Sequence, residues 1–161
     1  MASGFPIPRD LPRLPDARIA VVAARFNGHI TDELLRGCLE RLAELGVGAP
    51  ATVLRVPGAF ELPVSAKVLA ERPDIEAVIC LGCVIRGDTP HFDYVAGECA
   101  RGVQQVAIGS GKPIIFGVLT TNTEQQALDR AGGSHSHAGR NAADAAVEMV
   151  AFCRATRLKS P

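Results

Sequence analysis

An α/β domain, a four-stranded parallel sheet held between two helical layers, is the fold this sequence predicts. Three observations carry that reading. Short runs rich in valine, isoleucine and alanine, with almost no charge inside them, recur at residues 18–24, 51–56, 77–81 and 114–119. Such runs suit strands buried on both faces. Between them lie longer stretches whose apolar residues return at helical spacing. The resulting order βαβαβαβαα requires parallel strands joined by right-handed crossovers.

With 161 residues, the chain reads as one domain over 17–161 preceded by an extended arm over 1–16. Lys plus Arg and Asp plus Glu number 17 each. With no basic run, nothing attracts nucleic acid or an anionic membrane surface, and no apolar stretch is long enough to span a bilayer. Five cysteines, an odd number, without a signal peptide point to reduced thiols and a cytoplasmic protein. Cys80 and Cys83 form a C-x-x-C, but side chains three apart on a strand point to opposite faces. No second pair completes a tetrahedral metal site, so they read as small core residues.

The arm carries Pro6, Pro8, Pro12 and Pro15, too many breakers for a helix or central strand. Phe5, Ile7 and Leu11 give it apolar side chains for docking on a neighbour. The first strand, 18–24, ends at Arg25-Phe26-Asn27-Gly28. Thr31 is the expected N-cap of the first helix, with Asp32 and Glu33 in its first turn and Leu34, Leu35, Cys38, Leu42 and Leu45 on its apolar face. Strand two leads through Pro57-Gly58-Ala59-Phe60-Glu61-Leu62 to a helix with Pro63 in its first turn. Strand three, 77–81, is expected to stop at Gly82. Helix three is expected to begin near Phe92 or Asp93 and to present Val95, Cys99, Val103 and Val106. Strand four ends at Thr120-Thr121-Asn122-Thr123. A short helix over 124–130 and a glycine-rich linker over 131–139 lead to a last helix packed through its alanines, Met149, Val150 and Cys153.

Open α/β sheets bind ligands beyond the carboxyl ends of their strands. The four strand-to-helix junctions there carry Arg25-Phe26-Asn27, Gly58-Ala59-Phe60-Glu61, Arg86-Gly87-Asp88-Thr89-Pro90-His91 and Thr120-Thr121-Asn122-Thr123. They supply an aromatic plate, a carboxylate, an imidazole, hydroxyls and helix-start N–H groups, a set suited to an anion such as phosphate with proton transfer beside it. Arg130 can add a bidentate fork. Each residue also has a purely structural reading: His91 as a helix-start residue, Glu61 as a first-turn acid, Arg86 as partner of Asp88 or Glu98. His135 and His137 lack a neighbouring acid or thiol to complete a metal site. No G-x-G-x-x-G follows strand one and no P-loop is present, which argues against dinucleotides and nucleoside triphosphates.

Four ordered motifs carry a family resemblance over about residues 18–151: Ala24-Arg25-Phe26-Asn27; Val56-Pro57-Gly58-Ala59-Phe60-Glu61-Leu62-Pro63; residues 82–95, GCVIRGDTPHFDYV; and residues 116–123 with Arg130-Ala131-Gly132. The chain resembles the 6,7-dimethyl-8-ribityllumazine synthases of riboflavin biosynthesis. The resemblance implies a flavodoxin-like three-layer sandwich with strand order 2-1-3-4. It implies a condensation of 5-amino-6-(D-ribitylamino)uracil with 3,4-dihydroxy-2-butanone 4-phosphate that uses no cofactor and no metal. On the matching positions Phe26 would stack on the pyrimidine, and Ala59, Phe60 and Glu61 would line the ring and ribityl pocket. Val84 and Ile85 would meet the ring edge. Gly87, Asp88 and Thr89 would hold phosphate with Arg130, His91 would move protons, and Phe116 would come from a neighbouring subunit.

The resemblance further implies a homo-oligomer built from pentamers, in some members closed into icosahedral shells, with riboflavin synthase as a further partner. The short connection before the last helix goes with shells. One departure stands out. Where the family reads Asn-Lys-Gly followed by an acid, this chain has His137-Ala138-Gly139-Arg140-Asn141. That substitution motivates an alternative, a non-catalytic relative of the same fold that binds a lumazine or flavin.

Overall fold

The apolar runs do become one sheet. A computed structural model describes residues 10–50 and 52–157; Phe5, Pro6, Ile7, Pro8 and Ala51 of the readings above lie outside them. In chain order the elements are β1 (Ile19–Ala24), α1 (Gly28–Glu44), β2 (Thr52–Val56), α2 (Leu62–Ala70) after a 3-10 turn at Ala59–Glu61, β3 (Ala77–Ile85), α3 (His91–Ser110), β4 (Ile114–Thr121), α4 (Glu124–Arg130) and α5 (Ala138–Arg157). The strands lie in the order β2-β1-β3-β4, all parallel, with Ile19 opposite Ala77 and Val78 opposite Ile114. The flavodoxin-like order is therefore present.

Alternation along the two central strands builds both cores. Ile19, Val21, Ala23, Ile79, Leu81 and Cys83 face α1 and α5, while Ala20, Val22, Val78 and Cys80 face α2 and α3. Cys80 and Cys83 thus sit in opposite cores, and burial pushes their thiols up to about 12 and about 11. They behave as small apolar residues.

Several boundaries differ from expectation, each for a local reason. Helix α1 starts at Gly28, not Thr31, because Asn27 takes the left-handed conformation (φ 56°) and its carbonyl accepts from Ile30 and Thr31. Thr31 is wholly buried inside the first turn. Strand β3 runs through Gly82 to Ile85, since the open β4 edge keeps pairing with it up to Thr121. Gly82 is there for clearance: a methyl group would stand 3.1 Å from Leu62 of α2. Helix α3 starts at His91 and α5 already at Ala138. Met149 is 40% exposed, so it is not part of α5's packing face. On the arm, Leu11 and Leu14 pack against the α1–α5 core of their own chain, and Ala17 N–H donates to the Leu14 carbonyl at 3.0 Å.

Helices α1 and α5 approach most closely at two glycines, Gly139 and Gly37. A methyl group at Gly139 would lie 2.0 Å from the Leu34 carbonyl oxygen, and one at Gly37 would lie 2.1 Å from Cε1 of His137. The imidazole of His137 fills the notch over Gly37. Neither of its nitrogens has a hydrogen-bond partner among the described residues. Burial, then Arg36 and Arg140, hold it below the ordinary histidine range.

Candidate active site

The carboxyl edge of the sheet carries the chemistry because the strands stop there in register. Arg25 N–H donates to the Val56 carbonyl at 2.8 Å and Phe26 N–H to the Pro57 carbonyl at 3.0 Å, tying the β1 and β2 exits together. Asn27 Nδ2 reaches across to the Cys83 carbonyl at 3.0 Å. These three bonds fix the backbone around Phe26 while leaving its ring 71% exposed. An aromatic ring held open to solvent by an anchored backbone is a ready stacking surface.

The second junction folds back on itself. Glu61 Oε2 accepts from Gly58 N–H at 2.9 Å, and the Glu61 carbonyl accepts from Ser65 Oγ at 2.8 Å. The carboxylate therefore has a capping role, and the same side chain also lines the cavity. Ala59 is buried beneath, and Phe60 is 57% exposed beside it.

From the third junction come the last residues of β3, Val84 and Ile85, then the exposed stretch Gly87–Pro90 and His91 at the start of α3. A methyl group at Gly87 would touch nothing, so the main chain there is open to a ligand. Arg86 pairs with neither Asp88 nor Glu98. Its guanidinium meets Asp93 and Asn122 instead.

These junctions enclose a cavity of about 710 Å³. Phe26, Ala59, Phe60, Glu61, Val84, Ile85, Gly87, Thr89 and His91, nine of the positions singled out in the sequence, line it together. Cys83, Phe92, Tyr94 and Val95 line it as well. Tyr94 and Val95 follow His91 by three and four residues, which puts them on its face of α3. That spacing was the signal available for them.

Asp88, Phe116 and Arg130 are not in the wall of this cavity. Asp88 is exposed in the loop. Phe116, 41% exposed, lies opposite Cys80 in the middle of the edge strand β4, well back from the carboxyl end. Arg130 folds along its own helix, donating from Nη1 to the Gln126 carbonyl at 3.0 Å. Arg140 points elsewhere too, with Nη2 donating to Glu44 Oε2 at 2.5 Å, so it does not stand in for a lysine at 138. Among the described residues no three His, Cys, Asp or Glu side chains are grouped to hold a metal ion, and no helix is long and apolar enough to cross a membrane.

The chain is similar to proteins already characterised by name. Residues 16–154 match the family model described as 6,7-dimethyl-8-ribityllumazine synthase. A protein of that name from Thermus thermophilus is 54% identical over 140 residues, covering 86% of this chain and 88% of the relative. One from Streptomyces avermitilis is 52% identical over 141 residues, covering 86% of each. Another, from Salinibacter ruber, is 47% identical over 134 residues, covering 83% of this chain and 86% of that protein.

Proposed function

The chain belongs to the 6,7-dimethyl-8-ribityllumazine synthase family, and we propose that the cavity at the carboxyl edge of its sheet is where the two substrates meet. The enzyme condenses 5-amino-6-(D-ribitylamino)uracil with 3,4-dihydroxy-2-butanone 4-phosphate in riboflavin biosynthesis. The observation that carries the site is convergence: Phe26, Glu61 and the stretch holding Gly87, Thr89 and His91, three segments well separated in sequence, face one cavity.

The chemistry follows from the reactants. The 5-amino group adds to the ketone and expels water, giving a Schiff base. Phosphate then leaves with the C4–O bond electrons while a proton is lost from C3. The enol becomes a ketone, and the ribitylamino nitrogen closes the ring with loss of a second water. Every step moves a proton, none changes the overall redox balance, and holding two reactants in contact supplies much of the acceleration. In this reading Phe26 stacks on the pyrimidine and Ala59, Phe60 and Glu61 hold ring and ribityl chain. Val84 and Ile85 press on the ring edge, and Gly87, Asp88 and Thr89 receive phosphate at the start of α3. His91 takes and returns protons.

The same reading gives Phe116 its work across a subunit boundary, and we place Arg130, as a phosphate ligand, there with it. What supports this is that each lies outside its own chain's cavity, Phe116 on an open sheet edge. A homo-oligomer built from pentamers would bring them to a neighbour's site. The exposed apolar side chains Val64 and Val68 of α2 and Ile108 of α3 favour burial in such an assembly. Closure into shells, association with riboflavin synthase, a cytoplasmic setting and the division at residue 16 rest on the motifs and composition alone.

The test is direct. Purified protein given both substrates should yield a lumazine, followed by its visible absorbance, with one phosphate released per product. Binding of the lumazine without turnover would instead make the chain the non-catalytic relative, a reading the matched names do not favour. Mass in solution decides the assembly: a species below pentamer mass would sink the pentamer.

A further inference from the structure

Arg86 stands between the sheet and the exposed Gly87–Pro90 loop, and the reaction as written gives its side chain no part. Its main chain is fixed by the sheet, with N–H donating to the Thr121 carbonyl at 2.9 Å. From that anchor the guanidinium reaches three places. Nε donates to Asn122 Oδ1 at 3.1 Å, at the β4–α4 junction. Nη2 and Nη1 donate to the two oxygens of Asp93 at 3.1 and 3.5 Å. The group also lies over the ring of Phe92, 4.3 Å from its centre. Asp93 and Phe92 are the residues that follow His91 in the first turn of α3.

The Arg86–Asp93 fork therefore closes a ring over residues 86–93, and the loop it spans has little else to hold it. Gly87, Asp88, Thr89 and Pro90 are all exposed, and neither Asp88 nor Thr89 makes a side-chain hydrogen bond among the described residues. A guanidinium–carboxylate fork is directional in a way a single charge is not. With Arg86 44% and Asp93 59% exposed, the pair adds little to global stability. It can still set where the loop and the imidazole stand. Arg86 is not in the cavity wall, and its fork is already taken by a carboxylate, so it is not itself placed to receive the phosphate.

We infer that Arg86 is a positioning residue. By bridging Asp93, Asn122 and Phe92 it presets the Gly87–Thr89 loop and His91 for the phosphate-bearing substrate. The inference rests on the cavity being the synthase site. It is tested with Arg86→Gln, Arg86→Lys, Asp93→Asn and the Arg86→Gln/Asp93→Asn double variant, each substrate varied in turn and inorganic phosphate used as a competitive inhibitor. Arg86→Gln should lower kcat/KM for the butanone phosphate about tenfold or more and weaken phosphate inhibition in parallel. KM for the ribitylaminouracil and the thermal midpoint should stay near those of the unsubstituted enzyme. Asp93→Asn should reproduce the loss, the double variant should be no worse than either single one, and Arg86→Lys, which keeps the charge but not the fork, should rescue little. Arg86→Gln with unchanged kinetics, Arg86→Lys at full activity, or losses that multiply in the double variant would each overturn the inference. An unsubstituted enzyme that makes no lumazine would instead sink the synthase reading beneath it.

Discussion

Gly139 and Gly37 look alike in sequence, but the structure makes the cost of an alanine reversible at only one of them. At Gly139 the added methyl would stand 2.0 Å from the carbonyl oxygen of Leu34, a main-chain atom in the middle of α1. Neither helix can give way locally, so α5 must move off α1 by about 1 Å or more to restore ordinary contact. That opens the interface where Leu34, Cys38 and Leu42 meet Ala142, Ala143, Ala146 and Val147, all at most 4% exposed. Overpacking of this kind costs about 3 kcal/mol, offset by about 1 kcal/mol of helix propensity gained on leaving glycine. Gly139→Ala should therefore lose about 2 kcal/mol, about 5 °C in Tm for a domain this size.

At Gly37 the clash is with the His137 imidazole, a side chain that can leave. Gly37→Ala should cost about 1–2 kcal/mol, and adding His137→Ala should recover most of it, since the notch is then empty. His137→Ala should do nothing for Gly139→Ala. Urea unfolding of the three single variants and two doubles, at one protein concentration, measures this. Additive effects in the Gly37/His137 pair would refute the reasoning, as would rescue of Gly139→Ala.

Other outcomes are as specific. His91→Ala should lower kcat by about 10²-fold or more while leaving far-UV circular dichroism unchanged, as expected of a proton-transfer residue at an exposed helix start. Phe26→Ala should raise KM for the ribitylaminouracil about tenfold through lost stacking, with Tm unmoved because the ring is mostly in solvent. Ala138→Lys should lower KM for the butanone phosphate by up to about tenfold, the worth of one charged hydrogen bond, measured in the same assay. His137, facing Glu33, Arg36, Glu40 and Arg140, has a folded-state pKa below its unfolded value. The unfolded chain thus binds the proton first, so this histidine's contribution to stability is complete above about pH 6.5 and is lost as pH falls toward the folded value. Denaturation midpoints from pH 7.5 to 5 should fall less for His137→Asn than for the unsubstituted protein.

Strand runs and helical spacing were enough to read the parallel sheet and most of the cavity wall, because both cores rely on simple alternation and Phe26, Glu61 and His91 sit at strand exits; the strand order came from the family resemblance. The ends of elements were less legible. Thr31 carries the chemistry of a cap, yet Asn27 takes that place through a bond to Cys83, 56 residues away. Gly82 looks like a stop and is instead clearance for Leu62, a contact no local pattern announces. Arg86 had two plausible acids near it in sequence, but the turn of α3 presents Asp93 and the sheet brings Asn122. Phe116 and Arg130 belong to elements read correctly, and their side chains still miss this cavity.

The layer made by α1 and α5 joins residues 28–44 to residues 138–157, so it can form only when nearly the whole chain is available. During synthesis the central strands can pair and α2 and α3 can cover one face. The stripe of Leu34, Cys38 and Leu42 on α1 must wait for Ala143, Ala146 and Val147 to emerge from the ribosome. Over that interval the growing chain carries an uncovered apolar flank, the kind of surface that recruits chaperones or sticks to other nascent chains. A chain cut before α5 would keep that flank for good.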